Sequence, residues 1–409
     1  MARQLVSRGA TSLSSSRMKI SKVEQSSSNV LDYKIDRRKE ALLLTNDLLG
    51  IINLGTEEGL FPELTGHRNL AAVPFSGRYR LIDFTLTNMI TQGIDQVGIF
   101  TLDKYRSLMD HVGSGKEWDL DRSQGGLHIF PPALKPDGEA YLGDLANFSM
   151  HREHFVRSKQ AYVVITGSNV LTTIDYQNML EHHKSMGADI TLAYTEHEQK
   201  CGYCRPIRLG ENDRVVGIGE RGFSPDDEHA YTETIVMSKN LFLRLVDEAT
   251  SKGEYDLLDG VILPQLHRLH VHGYHYTGKM QVIHSVLSYY NESMRLLRQE
   301  GIIYDFPHIY TKIKHEPPTR YLKGSKVNEA LVANGCKISG EVQNSILFRG
   351  VVISEHARVK NSIILSKSII EEGAVVENAI LDKEVVVKRG QVIRGTVDEP
   401  IVIRKRTTV

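Results

Sequence analysis

The sequence of 409 residues has little cysteine, no net charge and no long apolar run, and each shortage excludes a class of protein. Three cysteines are too few for the disulfide scaffold of a small secreted domain. Fifty lysines and arginines balance fifty aspartates and glutamates, so the chain lacks the global positive field that sequence-independent nucleic-acid binding requires. No apolar run approaches the roughly 20 residues that span a bilayer. We therefore expect a cytoplasmic chain with neither nucleic acid nor a membrane as a partner.

The first 45 residues are short of acid and rich in serine and basic residues. Five basic residues precede the first acidic residue, Glu24, and four serines lie within 12–16. This composition fits an organellar transit peptide, a disordered extension or a mis-chosen start codon, and the residues leave these alternatives open. We predict a disordered or leader extension over 1–45, and an organellar location only if it is a transit peptide.

Short apolar runs then alternate with stretches of helical spacing. The run Leu48–Leu54 enters a loop at Gly55, as a buried parallel strand does, and similar runs occur at 97–100 and 162–165. Apolar residues recur at intervals of three and four over 176–186. Strand and helix in alternation predict an α/β fold, Rossmann-like, with a mostly parallel sheet that helices cover on both faces.

From about Asn328 the helical spacing disappears and aliphatic residues recur every six residues. A six-residue period predicts a left-handed parallel β-helix of hexapeptide repeats, whereas antiparallel strands would show a period of two. Because one triangular coil cannot bury its inner face alone, stacked coils share a core. The two series are Leu347, Ile353, Val359 and Leu365, then, after a four-residue step, Ile369, Val375, Leu381, Val387 and Ile393.

Three consecutive motifs in the α/β half carry a resemblance to a known family. They are 54–65, 68–75 (Arg-Asn-Leu-Ala-Ala-Val-Pro-Phe) and 77–84 (Gly-Arg-Tyr-Arg-Leu-Ile-Asp-Phe). They resemble the ADP-glucose pyrophosphorylase (glucose-1-phosphate adenylyltransferase) family, and the similarity extends from about residue 48 to 395. The resemblance implies a domain that binds ATP and glucose 1-phosphate and forms ADP-glucose and pyrophosphate with Mg²⁺. Such chemistry needs cations along the triphosphate and carboxylates on the metal, because charge develops on the transferring phosphoryl group.

Two of the phosphate-binding cations of the family are missing from otherwise matching segments. The family's first loop keeps its first glycine as Gly55, but its third glycine becomes Glu58 and its phosphate-binding arginine becomes Leu60. A carboxylate repels phosphate where backbone amides should hold it. The lysine of the next motif falls at Leu70.

The carboxylates are replaced as well. The family's catalytic aspartate falls at Ala146, and its two metal-site aspartates fall at Ser168 and Val282. The sugar-phosphate lysine becomes arginine in the pair Glu220-Arg221, which keeps the charge but not the geometry. We predict no catalytic residue and no metal ligand, and a vestigial substrate site made of Gly55, Leu60, Leu70, Gly143, Ala146, Ser168, Glu220, Arg221 and Val282.

This combination resembles the non-catalytic GlgD-type subunit of bacterial ADP-glucose pyrophosphorylase. The resemblance implies a regulatory, catalytically impaired chain in glycogen biosynthesis. It would pair with a catalytic GlgC-type subunit in a heterotetramer, with Mg²⁺ and ATP bound at that partner and no cofactor assigned to this chain. Two alternatives stay open: a free-standing sugar-phosphate sensor, and an active nucleotidyltransferase whose site is rebuilt from Lys104, Asp144, Asp175 or Arg221.

Three arginines survive in the matching segments. Arg68, Arg80 and Arg106 stand at positions that, in the family, line an anionic effector site between the sheet domain and the β-helix. The planar guanidinium suits such sites because it hydrogen-bonds phosphate oxygens in pairs. The alternative is that they form interdomain ion pairs with acids such as Glu341 or Glu355.

The patterns divide the chain into four segments. Uncovered aliphatic flanks of the coils, such as Val351, Ile363 and Val385, are expected to contact other subunits. The segments are the extension over 1–45, a nucleotidyltransferase-like α/β domain over 46–313, a linker over 314–327 and the β-helix over 328–409.

Overall fold

The computed structural model describes residues 47–57, 59–101, 103–134, 143–196, 203–222 and 227–409. The extension expected over 1–45 and the loop residue Glu58 lie outside these ranges. Within them the chain forms a helix-covered sheet followed by a tail of short parallel strands. No helix of the described ranges is long and apolar enough to cross a membrane.

The first part is built on a mixed sheet of nine strands within the described residues. Its strands and those of two small hairpin-like sheets are β1 (Leu48–Asn53), β2 (Pro74–Phe75), β3 (Tyr79–Arg80), β4 (Gln96–Phe100), β5 (Gly126–Phe130), β6 (Tyr162–Thr166), β7 (Val170–Leu171), β8 (Ile190–Glu196), β9 (Arg205–Leu209), β10 (Val215–Ile218), β11 (His229–Ser238), β12 (Val271–His275) and β13 (Gln281–Val282). β6, β1, β4 and β5 lie side by side in one direction, with β5 at the edge of the sheet. β11 runs antiparallel to β6 and also pairs with β8 and β9.

Helices cover both faces of this sheet. They are α1 (Pro62–Thr65), α2 (Leu81–Thr91), α3 (Arg106–Val112), α4 (Leu145–Met150), α5 (Arg152–Arg157), α6 (Tyr176–Ser185), α7 (Lys239–Ser251) and α8 (Val286–Arg295). Side chains of β1 alternate between the faces, as a strand requires. Leu49 and Ile51 enter a core shared with α4, α5 and α7, whereas Leu48 and Ile52 enter one shared with α2, α3 and α6. The predicted Rossmann-like architecture is confirmed.

The tail is a parallel β-helix, as predicted, and every strand pair in it is parallel. Its strands are β14 (Arg320–Tyr321), β15 (Lys326–Val332), β16 (Lys337–Ile338), β17 (Glu341–Leu347), β18 (Val352–Ile353), β19 (Arg358–Lys360), β20 (Ile363–Ile364), β21 (Ile369–Ile370), β22 (Val375–Glu377), β23 (Ala379–Leu381), β24 (Val386–Val387), β25 (Val392–Arg394) and β26 (Ile401–Ile403).

From β17 onward most stacked positions are 17 residues apart. Asn344, Asn361 and Asn378 hydrogen-bond to one another at this interval through their side chains, at 2.8 and 3.1 Å. Each has a positive φ, of 44°, 46° and 47°, a conformation that asparagine tolerates better than most residues. The asparagine ladder therefore turns the chain at one corner of each coil.

A 17-residue coil has one side of five residues, and this shifts the inner row away from a strict period of six. The predicted rows are right for Leu347, Ile353, Val359, Leu381, Val387 and Ile393, which lie in the coil core. They are wrong for Leu365, which packs outside the coil, and for Ile369 and Val375, whose inner neighbours Ile370 and Val376 take their places.

One outer side of the β-helix packs on the α/β part. Ile346, Ile363 and Ile380 stack as a row across three coils. They lie in one apolar cluster with Phe75 and Tyr289. The two parts therefore share a core.

The expectation of uncovered flanks is wrong for the residues named. Val351, Ile363 and Val385 are all fully buried, because Ile363 contacts the α/β part and the other two lie in the coil core. Exposed aliphatic side chains of the coils lie elsewhere, at Ile369 and Val392.

A buried ion pair also joins the two parts. Arg68 Nη2 donates to both carboxylate oxygens of Asp382, at 2.9 and 2.8 Å. Both side chains are only 3% exposed. Of the two interpretations of Arg68, the structure places it in an interdomain ion pair, with Asp382 as the acid.

Candidate functional site

The carboxyl ends of β1 and β6 open into a large cavity, at the edge where α/β sheets bind ligands. Its volume is about 450 Å³, which lies in the range of small-molecule sites. The walls come from the ends of β1 and β6, from β9 and β11, and from the segments around residues 144, 220 and 257. Three of the predicted site positions meet close to it: Gly143, Glu220 and Arg221.

Asp144 lies at the inner end of this cavity. Its carboxylate accepts hydrogen bonds from Asn53 Nδ2, at 2.7 Å, and from the backbone N–H of Leu257, at 3.0 Å. Burial, with repulsion from Asp256, raises the pKa of Asp144 to about 7. The preceding Gly143 has a φ of +72°, and a Cβ there would lie 1.9 Å from the carbonyl oxygen of Tyr255. Gly143 is therefore required by the backbone path, whatever its chemical role.

Each of the two guanidiniums in the cavity wall is paired with a carboxylate of the same wall. Arg205 forms a fork with Asp259, at 2.7 and 3.0 Å. Arg221 donates to Glu233 at 2.8 Å and stacks over the ring of Tyr203 at 4.0 Å. Glu233 has a φ of 56° where the register of β11 shifts, and such a bulge redirects a side chain.

Glu57 lies in the turn after β1 and contacts the residues that follow β6. This is the side of the cavity where the family's phosphate loop lies. Its carboxylate accepts hydrogen bonds from the backbone N–H of Ser168, from Ser168 Oγ at 2.7 Å and from the backbone N–H of Asn169 at 3.1 Å. Burial raises its pKa to about 7. A second cavity beside it has a volume of only about 20 Å³, room for about one water molecule.

The residues at this strand end do not fit Mg²⁺, which prefers carboxylate oxygens. Ser168 is fully buried and its hydroxyl is bonded to Glu57. Val282 lies in an apolar cluster with Val170 and Ala230. In the described ranges no three histidine, cysteine, aspartate or glutamate side chains are close enough to hold a metal ion.

The remaining vestigial positions are apolar or backbone groups. Leu70 is buried and Leu60 packs against the same apolar cluster, the one shared with the β-helix. Ala146 is half-buried on α4. The N–H of Gly55 donates to Asn53 Oδ1 at 3.0 Å. None of these four residues offers a phosphate group a charged side chain, although Arg68 and Lys104 line the small cavity together with Leu70.

Only two of the four residues of the rebuilt-site alternative share a cavity. Asp144 and Arg221 line the large cavity, but Lys104 lines the small one and pairs with Asp103 at 3.2 Å. Asp175 caps α6 by accepting from the N–H groups of Gln177 and Asn178. The structure gives these side chains three separate roles.

Arg80 lies in a group of cations between the two parts, beside the ion-paired Arg68. Its guanidinium donates to the carbonyl and hydroxyl oxygens of Ser107. Burial lowers the pKa of Arg80 to about 10, while repulsion from Arg68 and Arg349 acts in the same direction. Arg106 is exposed at the start of α3.

Sequence reasoning missed three members of this cation group. Burial and repulsion from Arg80 and Arg68 lower the pKa of Lys383 to about 7. Burial, Arg80 and Arg349 likewise lower the pKa of Lys314. Arg349 and Lys383 occupy the same corner two coils apart, so the 17-residue repeat would have placed them together.

Replacing Glu57 by Gln is expected to stabilise the protein at pH 8 and to have little effect at pH 5. The folded carboxyl holds its proton up to about pH 7, whereas the unfolded one releases it near 4.5, so stability falls as pH rises between these values. At about 1.4 kcal/mol per pKa unit, Glu57→Gln removes a cost of roughly 3 kcal/mol at pH 8. Thermal unfolding at both pH values measures the difference.

Glu63→Gln is the matched control for this prediction, since Glu63 is exposed on the neighbouring α1. It should leave the unfolding temperature unchanged at either pH. An equal shift for Glu57→Gln at pH 5 and pH 8 would contradict the buried, desolvated carboxylate.

Comparison with known proteins agrees with this architecture. The family described as nucleotidyl transferase matches residues 55–299, and that described as GlmU-like, C-terminal hexapeptide matches residues 317–399. The chain is 38% identical over 322 residues to the glycogen biosynthesis protein GlgD of Bacillus subtilis, covering 78% of this chain and 84% of that one.

Two further relatives are another GlgD protein and a glucose-1-phosphate adenylyltransferase. GlgD of Geobacillus stearothermophilus is 38% identical, over 77% of this chain and 84% of its own. Glucose-1-phosphate adenylyltransferase of Clostridium acetobutylicum is 30% identical, over 75% of this chain and 83% of its own. The chain therefore belongs to the nucleotidyl transferase family, in the group formed by the glucose-1-phosphate adenylyltransferases and the GlgD proteins of glycogen biosynthesis.

Proposed function

We propose that this chain is a regulatory, catalytically impaired subunit of glucose-1-phosphate adenylyltransferase that modulates an active GlgC-type homologue in glycogen biosynthesis. The observation that carries the proposal is Glu57. A carboxylate bonded to Ser168 and Asn169 stands where the active family holds a metal and a triphosphate. The backbone N–H groups of Ser168 and Asn169 donate to Glu57 and are therefore not free for a phosphate oxygen, and above a pKa of about 7 the charge of Glu57 also repels phosphate. ATP and Mg²⁺ would then act at the partner.

The regulatory part of the proposal rests on the cations between the two parts. Repulsion from Arg349 lowers the pKa values of Arg80 and Lys314, and repulsion from Arg80 and Lys314 lowers that of Lys383. Acids compensate part of this charge, among them Asp83, Asp110, Glu316 and Asp382. A phosphate or sugar-phosphate anion bound among them would relieve the repulsion and hold the β-helix against the sheet domain. An effector that favours one arrangement in this way can act on a partner.

Assembly with the partner, as a heterotetramer by analogy with the family, would use the outer faces of the β-helix. Val352, Ile369 and Val386 form an outward row on one face. Ile369 is 38% exposed and Val392, on the next face, is 57% exposed. Aliphatic side chains in a continuous row on a flat sheet favour contact with another subunit.

The test is to titrate phosphate into a mixture of this chain and the catalytic adenylyltransferase of the same organism, and to measure ADP-glucose formation. We expect mixing to change the half-maximal phosphate concentration at least threefold. The variant Arg80→Ala/Lys383→Ala should lose most of that change, because two of the four cations are removed, while co-elution with the partner on size exclusion persists.

Lys252→Ala is the control, since Lys252 is exposed on the far end of α7, and it should behave as the parent. Failure of the chain to co-elute with the catalytic homologue would exclude the subunit role and leave a free-standing sensor. Superimposable titrations of parent and double variant would exclude the effector site and leave the subunit role.

A further inference from the structure

The large cavity carries an excess of negative charge. Five carboxylates line it, from Asp144, Glu220, Glu233, Asp256 and Asp259, against two guanidiniums, from Arg205 and Arg221. No lysine and no histidine is among its lining residues. An anion that enters this space meets net repulsion at neutral pH even if Asp144 keeps its proton.

Both guanidiniums already pair with a carboxylate of the wall, so a phosphate group would compete with an existing ion pair at each of them. Both terminal nitrogens of Arg205 donate to the carboxylate of Asp259, and its Nε donates to the carbonyl oxygen of Gly219 at 2.9 Å. Arg221 is held by Glu233 and by the ring of Tyr203. At Arg205 a phosphate would have to break the charge-assisted pair and leave Asp259 unpaired, which costs more than a neutral hydrogen bond returns. At Arg221 a phosphate would share the guanidinium with Glu233, whose negative charge opposes it.

The remaining walls suit a polyhydroxylated ring. Carboxylates such as Glu220 and Asp256 accept hydrogen bonds and donate none when ionised, so they match hydroxyl donors. Ile165, Ile235 and Leu257 supply apolar surface for the C–H face of such a ring. A volume of about 450 Å³ holds one or two sugar units.

We propose that this cavity binds an unphosphorylated sugar unit and discriminates against sugar phosphates. Glucose 1-phosphate, the substrate of active relatives, is thereby excluded by charge. The proposal goes beyond the regulatory role and requires neither a partner subunit nor an effector. Its outcome is therefore independent of the mixed assay described above.

The test uses the full chain alone at pH 7.5, with glucose and glucose 1-phosphate as probes at matched ionic strength. Saturation-transfer NMR and calorimetry should detect glucose, with a dissociation constant in the range of about 1–10 mM and at least tenfold below that of glucose 1-phosphate. Equal or tighter binding of glucose 1-phosphate would overturn the proposal. So would the absence of glucose binding at about 20 mM.

Glu233→Gln sharpens the test because it frees Arg221 and removes one negative charge from the wall. It should raise the affinity for glucose 1-phosphate at least fivefold and change that for glucose less than twofold. Asp259→Asn, which frees Arg205, is a second variant with the same expected direction. Glu228→Gln, an exposed carboxylate outside the lining, is the control. Unchanged selectivity in both cavity variants, with folding verified by unfolding temperature, would show that charge does not set it.

Discussion

The chain alone is expected to form ADP-glucose at less than about one thousandth of the rate of a catalytic homologue. Losing one group that stabilises developing charge commonly costs a factor of about 100 to 1000. Here Leu60, Ala146 and Val282 supply neither a phosphate cation nor a metal ligand, and Glu57 fills the strand end. Turnover of ATP and glucose 1-phosphate by the purified chain, freed of host enzyme, measures this directly.

Val282→Asp serves as the companion variant for that assay. It should not restore activity, since Ser168 still provides no second carboxylate and its hydroxyl stays bonded to Glu57. A magnesium-dependent rate within tenfold of an active homologue, in either the parent or this variant, would show that another constellation performs the chemistry.

Arg68→Ala is expected to destabilise the protein by about 3–5 kcal/mol. Removing one partner of a buried ion pair leaves the other charge without compensation, and that cost exceeds the worth of the pair itself. Asp382 is 3% exposed and would lose a two-oxygen contact to the guanidinium. Chemical unfolding followed by tryptophan fluorescence reports the loss, since the single tryptophan, Trp118, is buried in the α/β part.

Arg394→Ala is the matched control for this change. Arg394 contacts Glu377 of the adjacent coil at 2.6 Å, but its side chain is 61% exposed. A solvent-exposed pair is worth at most about 1 kcal/mol. Comparable losses for the two variants would mean that the interdomain contact contributes no more than a surface pair.

The sequence predicts the α/β part well because the continuous apolar run of β1 and the helical spacing over α6 are local signals. The sequence correctly predicts stacked coils with an aliphatic core, but it misassigns some of the core positions. The reason is that a period of six holds on two sides of each coil and fails on the third. Leu365, Ile369 and Val375 were misplaced for that reason. Local patterning does not reveal where a five-residue side falls.

The site residues divide in the same way into those that a local motif predicts and those that only distant contacts reveal. Leu60, Ser168 and Val282 could be identified because a motif fixes their positions. Glu57 could not, since it occupies a variable position of the loop and acquires its meaning only through contacts more than 100 residues away. Lys383 could likewise not be assigned to the cation group from local sequence, because only the stacking of the coils places it beside Arg80.

The 17-residue coil restricts how the length of this tail can change. Insertion or deletion of one whole coil would keep the asparagine corner, the inner aliphatic row and the outer face in step, whereas a change of one or two residues would rotate every later side chain to the wrong face. The row Ile346, Ile363 and Ile380 adds a further restriction, because those coils also support the sheet domain. Tails of this type should therefore vary in length by whole coils, and least readily across the coils that carry this row, which Val402 of β26 extends by pairing with Ile380.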